Sequence, residues 1–298
     1  MTKIIDTILI AISVAAIIIF SYWLGQQAYN WMPLQATAEA QRVDDLFSFL
    51  ITLSSIVFLG VVGMIVYALI TCRAKPNDYT EGHPSRGNVK LEILWTAIPT
   101  ILVLWISWQS YNIYEQLDIE GLQQIVELPL PLETEAALAE SESSTNQKPE
   151  RIEVVAKQWG WTFHYPERNI SSSELHLPLN RRVELALRSE DVIHGFYVPE
   201  FRFKQDIIPT RDINIFFRPI LAGKYRLNDS QFSGAYFALM SADVYVEPIA
   251  KYNQWLDRAA KGELAIANNR ANDEYTHPVH KILGSQWPTV APADTNPG

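Results

Sequence analysis

Three long apolar runs in the first 111 residues are the feature that most constrains the fold of this chain. They cover residues 4–25, 46–71 and 91–108, and the third run extends through its flank to Tyr111. A helix needs about 20 mostly apolar residues to cross the hydrocarbon core of a bilayer. Because a spanning segment must satisfy its backbone polar groups internally, each run is expected to be helical. The sequence therefore predicts an integral membrane protein.

The first apolar run has two interpretations. It is either a retained anchor over residues 1–28 or the apolar core of a cleaved signal peptide. The run is long for a signal and ends in Tyr22, Trp23 and Leu24 rather than in a small-x-small cleavage site. We favour retention, so the prediction is two or three transmembrane helices, of which the last two form a hairpin over residues 45–111.

The basic residues predict the orientation in the membrane. Residues 73–90 carry four Lys and Arg, whereas residues 26–45 carry only Arg42. Since cytoplasmic loops are enriched in Lys and Arg, the 73–90 loop is expected in the cytoplasm and everything after residue 111 on the opposite side. The net charge of −9 argues against a nucleic-acid partner, which would require a concentrated basic surface.

An acidic segment separates the apolar runs from the rest of the chain. Residues 112–150 are irregular, and their part from 119 onward holds seven glutamates against the single lysine Lys148. This composition predicts a solvated tether. At the other end, residues 249–298 are expected to form a tail with one short helix over 252–261. The pair His277 and His280 in that tail has the spacing of a weak metal-site candidate.

Strand patterns fill the region between tether and tail. Residues 151–155 and 174–187 alternate between apolar and polar side chains, and residues 213–217 are β-branched and aromatic. Several short strands separated by turn residues predict an all-β domain over residues 151–248, built as a Greek-key sandwich or barrel.

Two segments of this β domain keep the spacing of a metal-binding loop. They are Asp191-Val-Ile-His194 and Asp229-Ser-Gln-Phe-Ser-Gly-Ala-Tyr-Phe-Ala-Leu-Met240. Together they resemble the first histidine and the copper loop of subunit II of the heme-copper terminal oxidases. In copper-bearing members the loop reads Cys-x-Glu-x-Cys-Gly-x-x-His-x-x-Met and holds a two-copper (CuA) centre.

The resemblance shows that most copper ligands are replaced in this chain. The positions of the two cysteines, the glutamate and the second histidine are taken by Asp229, Ser233, Gln231 and Phe237. Only His194 and Met240 keep a ligand type. Soft sulfur and imidazole ligands select copper, and one imidazole with one thioether cannot replace two bridging thiolates. The resemblance therefore implies a subunit with no CuA and no other metal of its own.

The same comparison gives an expectation for each altered position. His194 is expected to be a buried, hydrogen-bonded histidine where the metal lies in relatives, and Phe237 an apolar replacement in the old site. In copper-bearing members the glutamate at position 231 helps to hold magnesium at the interface with subunit I. Because an amide is a weaker ligand for this hard cation, Gln231 implies that magnesium is lost too.

Two further motifs support the resemblance. The stretch Leu91-Glu92-Ile-Leu-Trp-Thr-Ala-Ile-Pro99 is similar to the start of the last transmembrane helix of subunit II, where a glutamate lies near a proton-channel mouth. That role is transferred to Glu92, against the alternative of a solvated carboxylate in the first helical turn. Trp159 and Trp161 match the family's aromatic strand, and without copper beneath them we expect ordinary packing on one strand face.

The fold implied by the resemblance is membrane α plus all-β, with two or three transmembrane helices followed by a cupredoxin-like Greek-key β-barrel. The implied function is that of a non-catalytic subunit of a proton-translocating oxidase that reduces dioxygen to water with quinol as electron donor. Hemes and CuB are expected in subunit I, where quinol would bind; subunit III and membrane lipid are further expected partners. The membrane would be a bacterial plasma membrane or thylakoid, with the β domain on the periplasmic or lumenal side.

Two other functions remain open from the sequence. One is a subunit of a cytochrome c-linked oxidase in which electrons follow another route. The other is a purely structural assembly subunit with no part in proton or electron traffic.

Overall fold

The computed structural model describes residues 2–73, 87–115, 119–120, 148–262 and 269–276. The chain divides into two compact units. The first combines Met1–Pro33 with Arg42–Tyr114, and the second combines Leu34–Gln41 with Glu115–Gly298.

The first unit consists of three helices, which confirms the prediction from the apolar runs. They are α1 (Thr2–Ala28), α2 (Ala38–Thr71) and α3 (Val89–Glu115), with a 3₁₀ turn at Tyr29–Trp31 after α1. All three are long and apolar enough to cross a membrane. Their large side chains are mostly exposed within the chain, for example Leu69 at 69% and Leu104 at 65%, as expected for surfaces that face lipid or other subunits.

Specific polar contacts join the C-terminal end of α1 to α2. The Ser48 hydroxyl donates a hydrogen bond to the Gly25 carbonyl oxygen at 2.8 Å, and the Tyr29 hydroxyl donates to Asp45 at 2.6 Å. Ala28, which lies between Gly25 and Tyr29 in the sequence, is fully buried. Because small residues allow helix backbones to approach closely, this end of α1 packs directly on α2.

The second unit contains two β-sheets. Its strands are β1 (Ile119–Glu120), β2 (Glu150–Lys157), β3 (Gly160–Tyr165), β4 (Ile170–Ser172), β5 (Leu175–Pro178), β6 (Val183–Ser189), β7 (His194–Val198), β8 (Phe203–Ile207), β9 (Ile213–Phe217), β10 (Gly223–Asp229) and β11 (Ser241–Glu247). One sheet has the order β1-β9-β6-β2-β3-β4 and the other β5-β11-β10-β7-β8. The pairs β2–β6 and β5–β11 are parallel, and the remaining pairs are antiparallel. This is the expected cupredoxin-like β domain.

The core lies between the sheets. Strand β6 alternates buried and partly exposed residues, so that Val183, Leu185 and Leu187 point inward, as the period of two predicts. The alternating stretch 174–187, however, is two strands in different sheets rather than one. Asn180, at φ +61°, lies in the turn that separates β5 from β6. A period of two persists across such a turn, so alternation alone does not reveal it.

Residues 34–41 belong to the β unit although they precede and begin α2. Ala36 and Thr37 are fully buried, and the backbone N–H of Ala36 donates to the Glu200 carbonyl oxygen at 3.0 Å. The Thr37 hydroxyl donates to the carbonyl oxygen of Phe201 at 3.2 Å. The segment before α2 is thus part of the β-domain core, which the sequence pattern did not indicate.

Two helices follow the sheets. Helix α4 (Ile249–Ala259) begins three residues before the predicted 252–261 helix and buries Tyr252, Trp255 and Leu256 on one face. Helix α5 (Arg270–Thr276) was not predicted. Most of the acidic segment and the pair His277 and His280 lie outside the described residues.

Candidate functional site

The loop between β10 and β11 lies beside the start of β7, and strand pairing explains why. Strands β7 and β10 are antiparallel neighbours, with Asp229 paired to Phe196. Asp229 is the last residue of β10 and His194 the first residue of β7. The sheet therefore brings together the position of a family cysteine and that of a family histidine.

His194 is held between two carboxylates. Its Nδ1 lies 2.8 Å from Asp229 Oδ2, and its Nε2 lies 2.9 Å from Asp191 Oδ1. The side chains of His194 and Asp229 are completely buried, whereas that of Asp191 is 24% exposed. Since both ring nitrogens face carboxylate oxygens, both must carry a proton for the two contacts to be hydrogen bonds. The geometry is that of an imidazolium with a carboxylate at each end.

Every acceptor of Asp229 is used. Oδ2 also accepts the Ser233 hydroxyl at 2.7 Å, and Oδ1 accepts the backbone N–H groups of Gly195 at 2.7 Å and Gln231 at 3.0 Å. A buried charge is tolerated when it is paired and hydrogen-bonded in this way. Asp229 thus ties the loop to β7 by four contacts, one of which is ionic.

Asp191 is anchored in the same manner at the outer end. Its carboxylate accepts the backbone N–H of Gln158 at 2.8 Å and that of Val192 at 2.7 Å. We call His194, Asp191, Asp229 and Ser233 the His194 cluster. The sequence pattern gave Asp191 no role; the signal was a carboxylate three residues before the histidine.

The electrostatics of the His194 cluster follow from these contacts. Burial by itself lowers the pKa of His194, but the hydrogen bonds to Asp229 and Asp191 and their negative charges outweigh it, so the pKa is raised. Burial raises the pKa of Asp229, yet the bonds from His194, the Gln231 backbone, Ser233 and the Gly195 backbone lower it overall. The pKa of Asp191 is lowered in the same sense. These shifts favour the protonated form of His194 and the ionised forms of Asp191 and Asp229.

The other residues of the loop take different environments. Met240 is buried, and its carbonyl oxygen accepts the Asp229 N–H at 3.0 Å. Phe237 is half-buried and packs edge-on against the exposed ring of Phe232, with centroids 5.0 Å apart. Gln231 is half-buried. The expected apolar replacement by Phe237 is thus only part of the change, because the group that occupies the Nδ1 side of His194 is Asp229.

Trp159 and Trp161 lie in the core beneath the loop. They are 2% and 4% exposed. The Trp161 and His194 rings meet edge-on with their centroids 6.3 Å apart, and the Trp159 and Tyr236 rings do so with their centroids 5.1 Å apart. Gly234, at φ +124°, leaves the space for Trp159: a Cβ there would lie 2.6 Å from the indole. Both tryptophans therefore pack as core residues. They do not share a strand face as expected, because Trp161 lies on β3 whereas Trp159 lies in the turn between β2 and β3.

The donor set does not suit a two-copper centre. The sequence contains one cysteine, Cys72, in the segment after α2, so no thiolate is available in the loop. Both nitrogens of His194 are engaged by carboxylates on opposite sides of the ring, so these oxygens do not converge on a common point. Within the described part of the chain, no group of three His, Cys, Asp or Glu side chains could hold a metal ion.

Glu92 lies in the first turn of α3 and is exposed within the chain. It forms one face of that helix with Thr96 and Thr100, which line an open groove of about 540 Å³ together with apolar neighbours. The Thr96 hydroxyl donates to the Glu92 carbonyl oxygen at 2.9 Å, and Thr100 donates to Thr96 in the same way at 2.8 Å. The helix therefore presents a polar stripe that begins at a carboxylate.

Comparison with known proteins agrees with this architecture. Residues 21–113 match the transmembrane domain of cytochrome c oxidase subunit II, and residues 170–246 match its periplasmic domain. "Cytochrome c oxidase subunit 2" of Synechocystis sp. is 33% identical over 96% of this chain and 94% of the relative, and that of Thermostichus vulcanus is 30% identical over 80% of each. "Quinol oxidase subunit 2" of Bacillus cereus is 26% identical over 81% of this chain and 76% of the relative.

The three helices, the cupredoxin-like domain and these matches define the class as subunit II of the heme-copper terminal oxidases. The chain belongs to the cytochrome c oxidase subunit 2 family. It is a membrane protein with a periplasmic soluble domain and a component of an oxidase complex, which implies partner oxidase subunits.

Proposed function

We propose that this chain is subunit II of a proton-translocating terminal oxidase that takes its electrons from membrane quinol. The observation that carries the proposal is the contact between His194 and Asp229. A carboxylate fills the place of a bridging thiolate and forms an ion pair with the histidine that binds copper in relatives. The electron-entry metal is thus replaced by a self-contained hydrogen-bonded cluster.

The choice of donor follows from the distance that an electron would have to travel. A soluble one-electron carrier that docks on the periplasmic side needs a metal relay in the β domain. Without that relay, electrons would have to cross the whole domain to reach the hemes of subunit I. Quinol delivers its electrons within the membrane at subunit I and needs no relay. One relative, from Bacillus cereus, bears the name of a quinol oxidase subunit.

Glu92 is the residue to which we assign a part in proton traffic. It lies in the first turn of α3, at the end that adjoins the basic 73–90 loop. Because that loop is predicted to be cytoplasmic, this end of α3 is expected on the cytoplasmic side. An exposed carboxylate there can take protons from the cytoplasmic side, and the Thr96–Thr100 stripe continues from it into the membrane. This subunit would also stabilise the complex.

The decisive experiment compares donors on the purified complex. It should take up oxygen with a quinol analogue and hardly at all with reduced cytochrome c, and quinone-site inhibitors should abolish the uptake. Raising the ionic strength weakens docking between charged proteins and should therefore matter little. Rapid, salt-sensitive oxidation of cytochrome c would instead establish the cytochrome c-linked alternative. A Glu92 variant with unchanged turnover would favour the structural alternative for this subunit.

A further inference from the structure

The backbone at the start of α3 is fixed by Asn88. Its side-chain oxygen accepts the backbone N–H groups of Lys90 at 3.1 Å and Leu91 at 3.4 Å, so Asn88 is the N-cap of the helix. Its carbonyl oxygen accepts the N–H of Glu92 at 2.9 Å. The cap thereby determines where the Glu92 side chain leaves the helix.

The Glu92 side chain reaches back over the residue that precedes the cap. A Cβ built on Gly87 would lie 2.7 Å from Glu92 Oε1, and among the described residues the other atom within 4 Å is the carbon of the same carboxylate. A contact this short does not persist, so one of the two groups would have to move. Since the carboxylate ends a flexible side chain, it would move at little cost in folding free energy.

We propose that Gly87 is a positioning residue for Glu92. By lacking a side chain, Gly87 reserves the space in which the carboxylate folds back over the N-terminus of α3. The helix dipole stabilises negative charge at that place. The inference rests on the proposed role of Glu92 in proton uptake and names a residue through which that role is set.

The test is Gly87→Ala in the full oxidase complex. Oxygen uptake with saturating quinol should fall by about tenfold, because misplacing a reacting group by about 1 Å can cost up to about a hundredfold in rate. Assembly should be normal. The loss should shrink on acidification, since a higher proton concentration compensates for slow uptake, and the pH profile should move to lower pH.

The matched control is Gly63→Ala in α2. A Cβ added there meets no atom of the described residues within 4 Å, and alanine favours the helix. It should leave both rate and pH profile unchanged. Because Gly87 has φ +20°, a second variant, Gly87→Asn, separates crowding from backbone strain: asparagine accepts positive φ but still adds a side chain. It should slow turnover as Gly87→Ala does.

A double-variant cycle with Glu92→Gln decides the interpretation. If Gly87 acts through Glu92, the double variant should turn over as slowly as Glu92→Gln alone and no slower. A normal rate for both glycine variants, with Glu92→Gln slow, would overturn this inference and leave the proton role intact. A normal rate for Glu92→Gln would overturn the proton role, and the positioning role with it. A double variant slower in proportion to both single effects would also overturn the inference.

Discussion

The His194 cluster and the first turn of α3 both contain acidic side chains, but their surroundings are opposite. In the cluster, each charged group is buried or partly buried and is met by several donors or acceptors at 2.7–3.0 Å. Glu92 is exposed, and no described residue donates a hydrogen bond to its carboxylate. The difference teaches that an acidic side chain can either stabilise the fold or transfer protons, depending on its surroundings. A group whose hydrogen bonds are all internal stabilises the fold, whereas a group left open to its surroundings can pass a proton on.

The contrast between the His194 cluster and Glu92 would fail if the His194 cluster could still bind a metal ion, and this test has the largest expected effect. We expect the purified full chain to bind no copper tightly, and Asp229→Cys, Ser233→Cys and Phe237→His together to restore stoichiometric binding, with Gln231→Glu as an optional fourth change. The reason is that bridging thiolates and a second imidazole are what the loop lacks. Metal analysis after dialysis, with visible and EPR spectra, measures it.

The control is the double variant with both cysteines but Phe237 unchanged, which should bind more weakly. A mixed-valence binuclear signal from the unaltered chain would contradict the argument.

The next largest effect is expected from Asp229→Asn. The amide keeps the shape but leaves the His194 charge without its buried partner, which typically costs about 3 kcal/mol. Denaturant unfolding of the full chain in detergent, followed by tryptophan fluorescence, measures the loss. Asp206→Asn is the matched control, because Asp206 and Lys204 are both 46% exposed and 3.8 Å apart. Such a surface pair contributes at most about 1 kcal/mol. Equal losses in both variants would show that the cluster has no special weight.

Glu92→Gln should have the opposite effect to Asp229→Asn, because it should lower turnover and leave stability unchanged. Turnover of the assembled oxidase should drop by about tenfold or more, in the range attributed to single proton-transfer groups. Folding and assembly should be unchanged, because the amide keeps the side-chain shape. Oxygen consumption and the yield of intact complex are the two measurements. A stability loss as large as that of Asp229→Asn would remove the distinction between the two sites.

The smallest effect concerns pH. The raised pKa of His194 stabilises the fold fully below its ordinary value of 6.5, and this contribution is lost as pH rises through the folded value. The lowered pKa of Asp229 contributes fully above 3.8 and is lost as pH falls through the folded value. The cluster should therefore stabilise the β domain most between pH 3.8 and 6.5, with a decline in stability on each side.

Thermal unfolding of the full chain across this range is the measurement, and His194→Gln is the control. The variant should lose the alkaline part of the decline. The same alkaline decline in both proteins would assign it to another group.

Features that extend over many residues could be predicted from the sequence, whereas contacts between individual side chains could not. Apolar runs define the helices because lipid leaves little alternative, and β-branched residues located β9 (Ile213–Phe217) with its observed bounds. The pattern could not show that Asp229 meets His194, since a motif records which ligand is missing and not what its substitute contacts. Likewise, Ala36 and Thr37 carry no periodic signal, and their burial depends on β-domain residues more than 160 positions later.

Gly234 has a consequence for the history of such loops. Its φ of +124° and its close approach to Trp159 help to fix the path of the backbone, and neither involves a position that binds copper in relatives. The backbone conformation of the loop at this glycine therefore does not depend on which ligand side chains the loop carries. A lineage that exchanges the ligands can therefore keep the backbone path at this glycine, and regaining the metal would require new side chains rather than a new loop. Exchange of the ligand side chains in this fold is in that sense a reversible step.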